Sequence, residues 1–193
     1  MIDNIDLILP FINPESDDDY YFLQIIKRKK ENPELGANSR IIKNYYIKSK
    51  DDLLKKYEEI KAICIATNSR ASIRLNKRNF KISALKTMEN IANSMISNNN
   101  KVYNCFDRSA GIHHNDNNKK WILDFDFFID DKDIESYKYF INSIEPIGNK
   151  ILAKIPSKNG FHLITKPFNS EKFKRDFPKI EIHKDNPTNL FIP

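Results

Sequence analysis

Two aspartates, Asp124 and Asp126, lie two residues apart inside the apolar run over residues 121–129. On a strand that spacing puts both carboxylates on one face, with Cα atoms about 6.5–7 Å apart. Leu123, Phe125 and Phe127 then point the other way, into a core. Two carboxylates on an apolar strand repel each other and lose hydration, which is costly unless a cation lies between them. Mg²⁺ or Mn²⁺ suits an all-oxygen site of this kind. A solvated strand face carrying ordinary acids fits the same pattern, so the pair alone leaves both readings open. Asp130, Asp131 and Asp133 fit better as caps of a following helix.

A second group surrounds His162. Gly160, two residues earlier, permits a tight turn or a close backbone approach. Ser157, Lys158 and Asn159 place a hydroxyl, a cation and an amide at the mouth of the same hairpin, a set suited to a triphosphate. A surface hairpin with an incidental histidine accounts for them equally. Asp185, after the alternating segment Glu181-Ile182-His183, is either a third carboxylate for the metal or a turn residue in Lys-Asp-Asn-Pro.

The elements that must position these residues follow from periodicity and punctuation. Ser16 before three aspartates reads as a helix start, with Tyr21, Phe22, Ile25 and Ile26 at helical spacing. That helix would end in the basic run Lys27-Arg28-Lys29-Lys30, before Pro33. A strand follows over 41–47. Ser49 caps a helix over 50–61, and 62–66 and 71–75 read as two short strands. A helix over 83–97 turns Leu85, Met88, Ile91, Ala92 and Met95 to one face. The second half reads as a strand over 122–129, a helix over 133–144 and strands over 150–155 and 161–166. A short helix from Asn169 or Ser170 to about Phe177 and strand pieces at 180–183 and 190–192 complete it.

The chain has 193 residues, enough for one sizeable core or two small lobes sharing one. A hydrophobic share of 40% marks a folding chain. A net charge of +6 permits an anionic partner without naming it. Two distant cysteines, Cys64 and Cys105, make neither a zinc set nor a disulfide framework, and are expected as free thiols in a reducing cytoplasm. The start lacks a signal-peptide pattern, and the apolar runs are too short to span a membrane.

The joint order of these motifs resembles the archaeo-eukaryotic primase superfamily, in the form of small primase-polymerase-like proteins of phages and mobile elements. Trp121-Ile122-Leu123-Asp124-Phe125-Asp126 looks like its first motif, hydrophobic–Asp–x–Asp. The segment from Pro156 to Thr165 resembles the second, a small residue followed by His, although Gly160 stands where members often carry serine. Ile182-His183-Lys184-Asp185 and the following strand are similar to the third. The match covers about the last 75 residues of the chain.

The resemblance implies an α+β fold: a ferredoxin-like or RNA-recognition-motif-like antiparallel sheet bearing catalytic carboxylates over residues 108–193, preceded by an N-terminal α/β module over 1–107. It implies a DNA primase or primase-polymerase, a nucleotidyltransferase with Asp124, Asp126 and Asp185 holding two Mg²⁺ or Mn²⁺ ions. His162, Ser157, Lys158 and Asn159 would contact the nucleotide. Arg70, Arg74, Lys77 and Arg78 would grip template or nucleotide phosphates, a stretch that also fits a solvated cationic face. Implied partners are a single-stranded DNA template, NTPs or dNTPs and a separate replicative helicase, in a bacterial or phage-infected cell and away from membranes. Two other readings compete: a non-catalytic single-strand-binding module and a metal-dependent nuclease. A binding sheet of that type usually displays aromatics where Asp124 and Asp126 stand, which disfavours the first.

Overall fold

Aromatic and branched apolar side chains from strands near both ends and the middle of the sequence meet in the protein's main core. The computed structural model describes residues 1–97, 101–112, 116–126 and 131–193. It is an α+β protein with two antiparallel sheets. Strand β1 (Ile2–Asp3) and the short helix α1 (Ile5–Ile8) open the chain, followed by the strands β2 (Asp19–Lys27) and β3 (Arg40–Ile47). Helix α2 (Lys50–Thr67), strands β4 (Arg70–Ile73) and β5 (Arg78–Asn79), and helices α3 (Phe80–Ile96) and α4 (Cys105–Ile112) complete the first half. The second half contains β6 (Trp121–Phe125), α5 (Asp131–Ser143), β7 (Ile151–Pro156), β8 (Phe161–Thr165), α6 (Ser170–Asp176), β9 (Glu181–His183) and β10 (Thr188–Ile192).

The first sheet runs β1-β10-β4-β2-β3, with β5 also paired to β2. Its interior strand β2, between β4 and β3, corrects the helix expected after Ser16. Tyr21, Leu23 and Ile25 enter the main core, while Tyr20 and Phe22 pack on the opposite face with Tyr46 and Phe80. A strand buried on both faces has no polar alternation to betray its period of two. One of the expected capping acids serves a turn instead: Asp19 accepts from the backbone N–H groups of Glu15 and Ser16. Helix α2 starts as expected, with Ser49 accepting from the Asp52 N–H, a cap worth about 1 kcal/mol. It then runs through the segment expected as a strand over 62–66. Leu53, Tyr57, Ile60 and Cys64 continue one buried stripe to the last turn, and Asn68 ends the helix in the left-handed conformation at φ 48°.

Helix α3 also departs from expectation. Asn79 caps it through the N–H groups of Lys81 and Ile82, and its one fully buried side chain is Ser83. Leu85, Met88 and Met95, expected on one apolar face, are exposed.

The second sheet runs β7-β8-β6-β9, with each neighbouring pair antiparallel. One face, carrying Leu123, Phe125, Phe161 and Leu163, packs with Ile134 and Ile141 of α5 and Phe173 of α6. The other carries Ile122, Ile155 and Ile164 into the main core, against Tyr21, Ile25 and Ile73 of the first sheet. The sheets therefore share a core. The chain's last strand, β10, ties them further by crossing into the first sheet between β1 and β4. The described part of β6 ends at Phe125, so the expected extension over 127–129 and the capping role of Asp130 lie outside the described residues.

Candidate functional site

Asp124 shares a face of β6 with Ile122, the face turned towards the first sheet. Ile122 is in the core; one pleat further, where the sheets part, the same face carries a carboxylate. Register places His162 of β8 opposite Asp124 on one side and Glu181 of β9 opposite it on the other. His162 Nε2 lies 3.5 Å from Asp124 Oδ1, and its Nδ1 is 2.8 Å from the Thr188 hydroxyl on β10. Burial, and then the neighbouring His183, push the His162 imidazole down to about 4, so it is neutral at ordinary pH.

Asp124 carries the strongest sign of an intended ligand. Its Oδ1 is buried and accepts no hydrogen bond. Burial, reinforced by Asp126, raises its pKa above the ordinary carboxylate value. A buried acceptor without a donor costs about 1–3 kcal/mol, and a cation beside it would remove that cost. Asp126 lies just past the strand end and is exposed, close enough to Arg70 and His162 to act on their charge. The carboxylate pair therefore fits a divalent ion through the chemistry of its donors. The described residues do not, however, contain three or more Asp, Glu, His or Cys side chains already gathered as a metal cluster.

These groups open on a cleft of about 390 Å³, within the range of small-ligand sites. Ser157, Lys158 and Asn159 of the β7–β8 hairpin line it. The Ser157 N–H donates to the Gly160 carbonyl at 2.9 Å, closing the turn. Ser157 lines the cleft, and its hydroxyl is buried beside it without a hydrogen-bond partner. Arg70 forms part of the opposite wall.

Asp185 stands elsewhere. Its carboxylate is held by Arg78 Nη2 at 2.5 Å, by the Asn76 side-chain amide at 3.0 Å and by Arg74 at 3.6 Å. Arg78 is completely buried and also donates to the Ala110 carbonyl. An arginine in the interior needs a counter-charge, and Asp185 supplies it. Asp185 does not line the cleft, and the expected third ligand is engaged in an internal ion pair. The basic stretch divides for the same reason. Arg74 and Arg78 serve Asp185, while Lys77, 7% exposed, pairs with Glu15 and Asp19. Of the four cations, Arg70 alone reaches the cleft.

Residues distant in sequence supply the rest of the wall. Arg28, Lys30 and Glu31 come from the segment after β2, His183 from β9, and Asn186 and Asn189 from the approach to β10 and its start. The signal for the first group was the run Lys27-Arg28-Lys29-Lys30, which in sequence reads as a helix end. Glu31 had no local signal at all. The arrangement offers two carboxylates for a cation, a neutral imidazole beside them and a cationic wall for an anion. Comparison of the chain with family models, with curated proteins and with solved structures gave no match. Among the described residues no helix is long and apolar enough to cross a membrane.

Proposed function

We propose that the protein is a metal-dependent nucleotidyltransferase of the primase-polymerase type, acting on a nucleic-acid template. The observation that carries this reading is the unpartnered buried Oδ1 of Asp124, facing His162 in a cleft with cationic walls. The order β7-β8-β6-β9 supports the ferredoxin-like reading of the second sheet: a strand, a helix, two strands, a helix and a strand, with the first strand central.

Asp124 and Asp126 would hold Mg²⁺ or Mn²⁺. The bound metal would activate a 3′-hydroxyl and neutralise charge on the leaving pyrophosphate. The chain's own groups do the positioning. His162, fixed by Thr188, presents its Nε2 edge to the carboxylate. Ser157 offers an uncommitted hydroxyl, and Lys158 and Arg70 face an incoming triphosphate from opposite walls. With Glu181 and Asp126 exposed, the carboxylate side of the cleft remains open for a template and primer end.

The test is incorporation of labelled NTPs or dNTPs on single-stranded DNA with Mg²⁺ or Mn²⁺, by the wild-type protein and by Asp124→Ala. Product from the wild type alone supports the reading. No product on any template, together with nucleotide binding unchanged in Asp124→Ala, defeats it.

A further inference from the structure

We infer that Glu31 is an internal stand-in for an anionic ligand, occupying a polyphosphate site built from Arg70 and Lys158 until the polyphosphate displaces it. Glu31 follows Lys30 in a short turn over Lys29–Glu31. Its carboxylate accepts from Arg70 Nε at 2.8 Å and pairs with the Arg70 Nη2 group. Lys158 Nζ, on the hairpin across the cleft, lies 3.4 Å from the same carboxylate. One acid thus bridges cations from two sheets.

The environment of this bridge separates it from an ordinary surface pair. The Arg70 side chain is 8% exposed and that of Glu31 15%, and both line the cleft that holds Asp124. Arg28 and Lys30 line it too, so the cleft carries four cations and, with Asp124 and Asp126 on its carboxylate side, three carboxylates; Glu31 is the one that pairs with Arg70 and Lys158. A guanidinium fork and a nearby ammonium match a tri- or diphosphate at least as well as a single carboxylate. The segment bearing Glu31 is held independently of the ion pair. The Asn32 side chain donates to the carbonyls of Arg28 and Asn68, and the Lys29 N–H donates to Ser39. Glu31 can therefore leave Arg70 by changing rotamer while its backbone stays fixed.

Ligand size favours a polyphosphate over an extended strand, since the cleft encloses a volume of nucleotide scale. The inference rests on the proposed function for the identity of the anion as a nucleotide tail. The competition with Glu31 stands apart from it.

The experiment is calorimetric titration of inorganic tripolyphosphate into the full chain in EDTA. Wild type, Glu31→Gln and Lys158→Gln are compared. Removing the competing charge is expected to tighten binding on the order of tenfold, and Lys158→Gln is expected to weaken it. Glu31→Asp, whose carboxylate retreats by one methylene, covers the case in which Glu31→Gln fails to fold, and is expected to give a smaller gain. Unchanged or weaker binding in the folded Glu31 variant overturns the inference. So does a gain for a single-stranded oligonucleotide without one for tripolyphosphate. Stronger tripolyphosphate binding without nucleotide incorporation would defeat nucleotidyl transfer and leave this site standing. Incorporation with no effect of Glu31 would do the reverse.

Discussion

His162 stands opposite Asp124 across β6 and β8, with Nε2 3.5 Å from Oδ1, while its Nδ1 is held 2.8 Å from the Thr188 hydroxyl. The contact joins three strands from two sheets, because Thr188 begins β10, which belongs to the first sheet. A neutral imidazole has one donor and one acceptor nitrogen. If Thr188 donates to Nδ1, then Nε2 carries the proton, which at 3.5 Å makes no hydrogen bond to Asp124 Oδ1. If Nδ1 donates to Thr188, the Nε2 lone pair faces Asp124, and only a cation or a proton between them makes that arrangement favourable. In both cases Thr188 decides which edge the cleft sees.

Asp124→Asn should separate stability from metal binding. The substitution removes a carboxylate whose ionised form is disfavoured by burial and by Asp126. The metal-free variant should therefore melt higher than wild type, by about 2 °C or more. Mn²⁺ should raise the Tm of the wild type, because it binds the folded state, and leave that of the variant unchanged. Thermal melts with EDTA and with Mn²⁺ check both halves. An equal Mn²⁺ response in the two proteins would remove Asp124 from the metal site.

Asp185→Asn should behave in the opposite way. It leaves Arg78, completely buried, without its counter-charge, and breaking one side of such a pair costs about 3 kcal/mol or more. The urea midpoint should fall, while the Mn²⁺ affinity of the folded protein stays close to that of wild type. Intact stability with Mn²⁺ binding abolished would restore Asp185 as a ligand.

Acid should destabilise the metal-free protein through His162. Its folded-state value of about 4 lies below the ordinary 6.5, so the unfolded chain takes up the proton first. Stability is then full above pH 6.5 and falls as the pH drops towards 4, by about 3 kcal/mol from this group. His162→Gln cannot titrate and should flatten that part of the curve. Urea unfolding in EDTA at stepped pH measures it, and an identical pH slope in the variant would show that other groups carry the effect.

Local signals were legible where one residue decides the outcome. The Ser49 cap, the Asp124 strand, the turn from Pro156 to Gly160 and the order of elements in the second half could all be read from neighbours in the chain. Strand β2 could not, because burial on both faces erased its alternation and the acids at 17–19 imitate a helix start. The apolar stripe of α3 was legible, but the direction it faces was not: Leu85, Met88 and Met95 point outward. The site divided along the same line. Asp124, His162 and the hairpin residues are adjacent in register and were found together. Asp185 looked available because its partners Arg74 and Arg78 are more than a hundred residues away, and Glu31 was invisible until the fold placed it against Arg70 and Lys158.

Cys64 offers a probe of the region where local reading and fold disagree most. Sequence suggests a strand over 62–66, yet Cys64 occupies the last buried position on α2, against the first sheet. Burial pushes its thiol up to about 11 and leaves the residue 0% exposed. The thiolate is the reactive form, so the folded protein is protected twice, by access and by ionisation. In a Cys105→Ala background, alkylation near pH 8 should be slower than in the unfolded chain by a factor on the order of 10³ or more, tracking the opening of α2. Adding urea below the unfolding midpoint should accelerate it in step with lost stability. Labelling at the unfolded rate in the absence of urea would show that this part of 62–66 does not rest on the core as a helix.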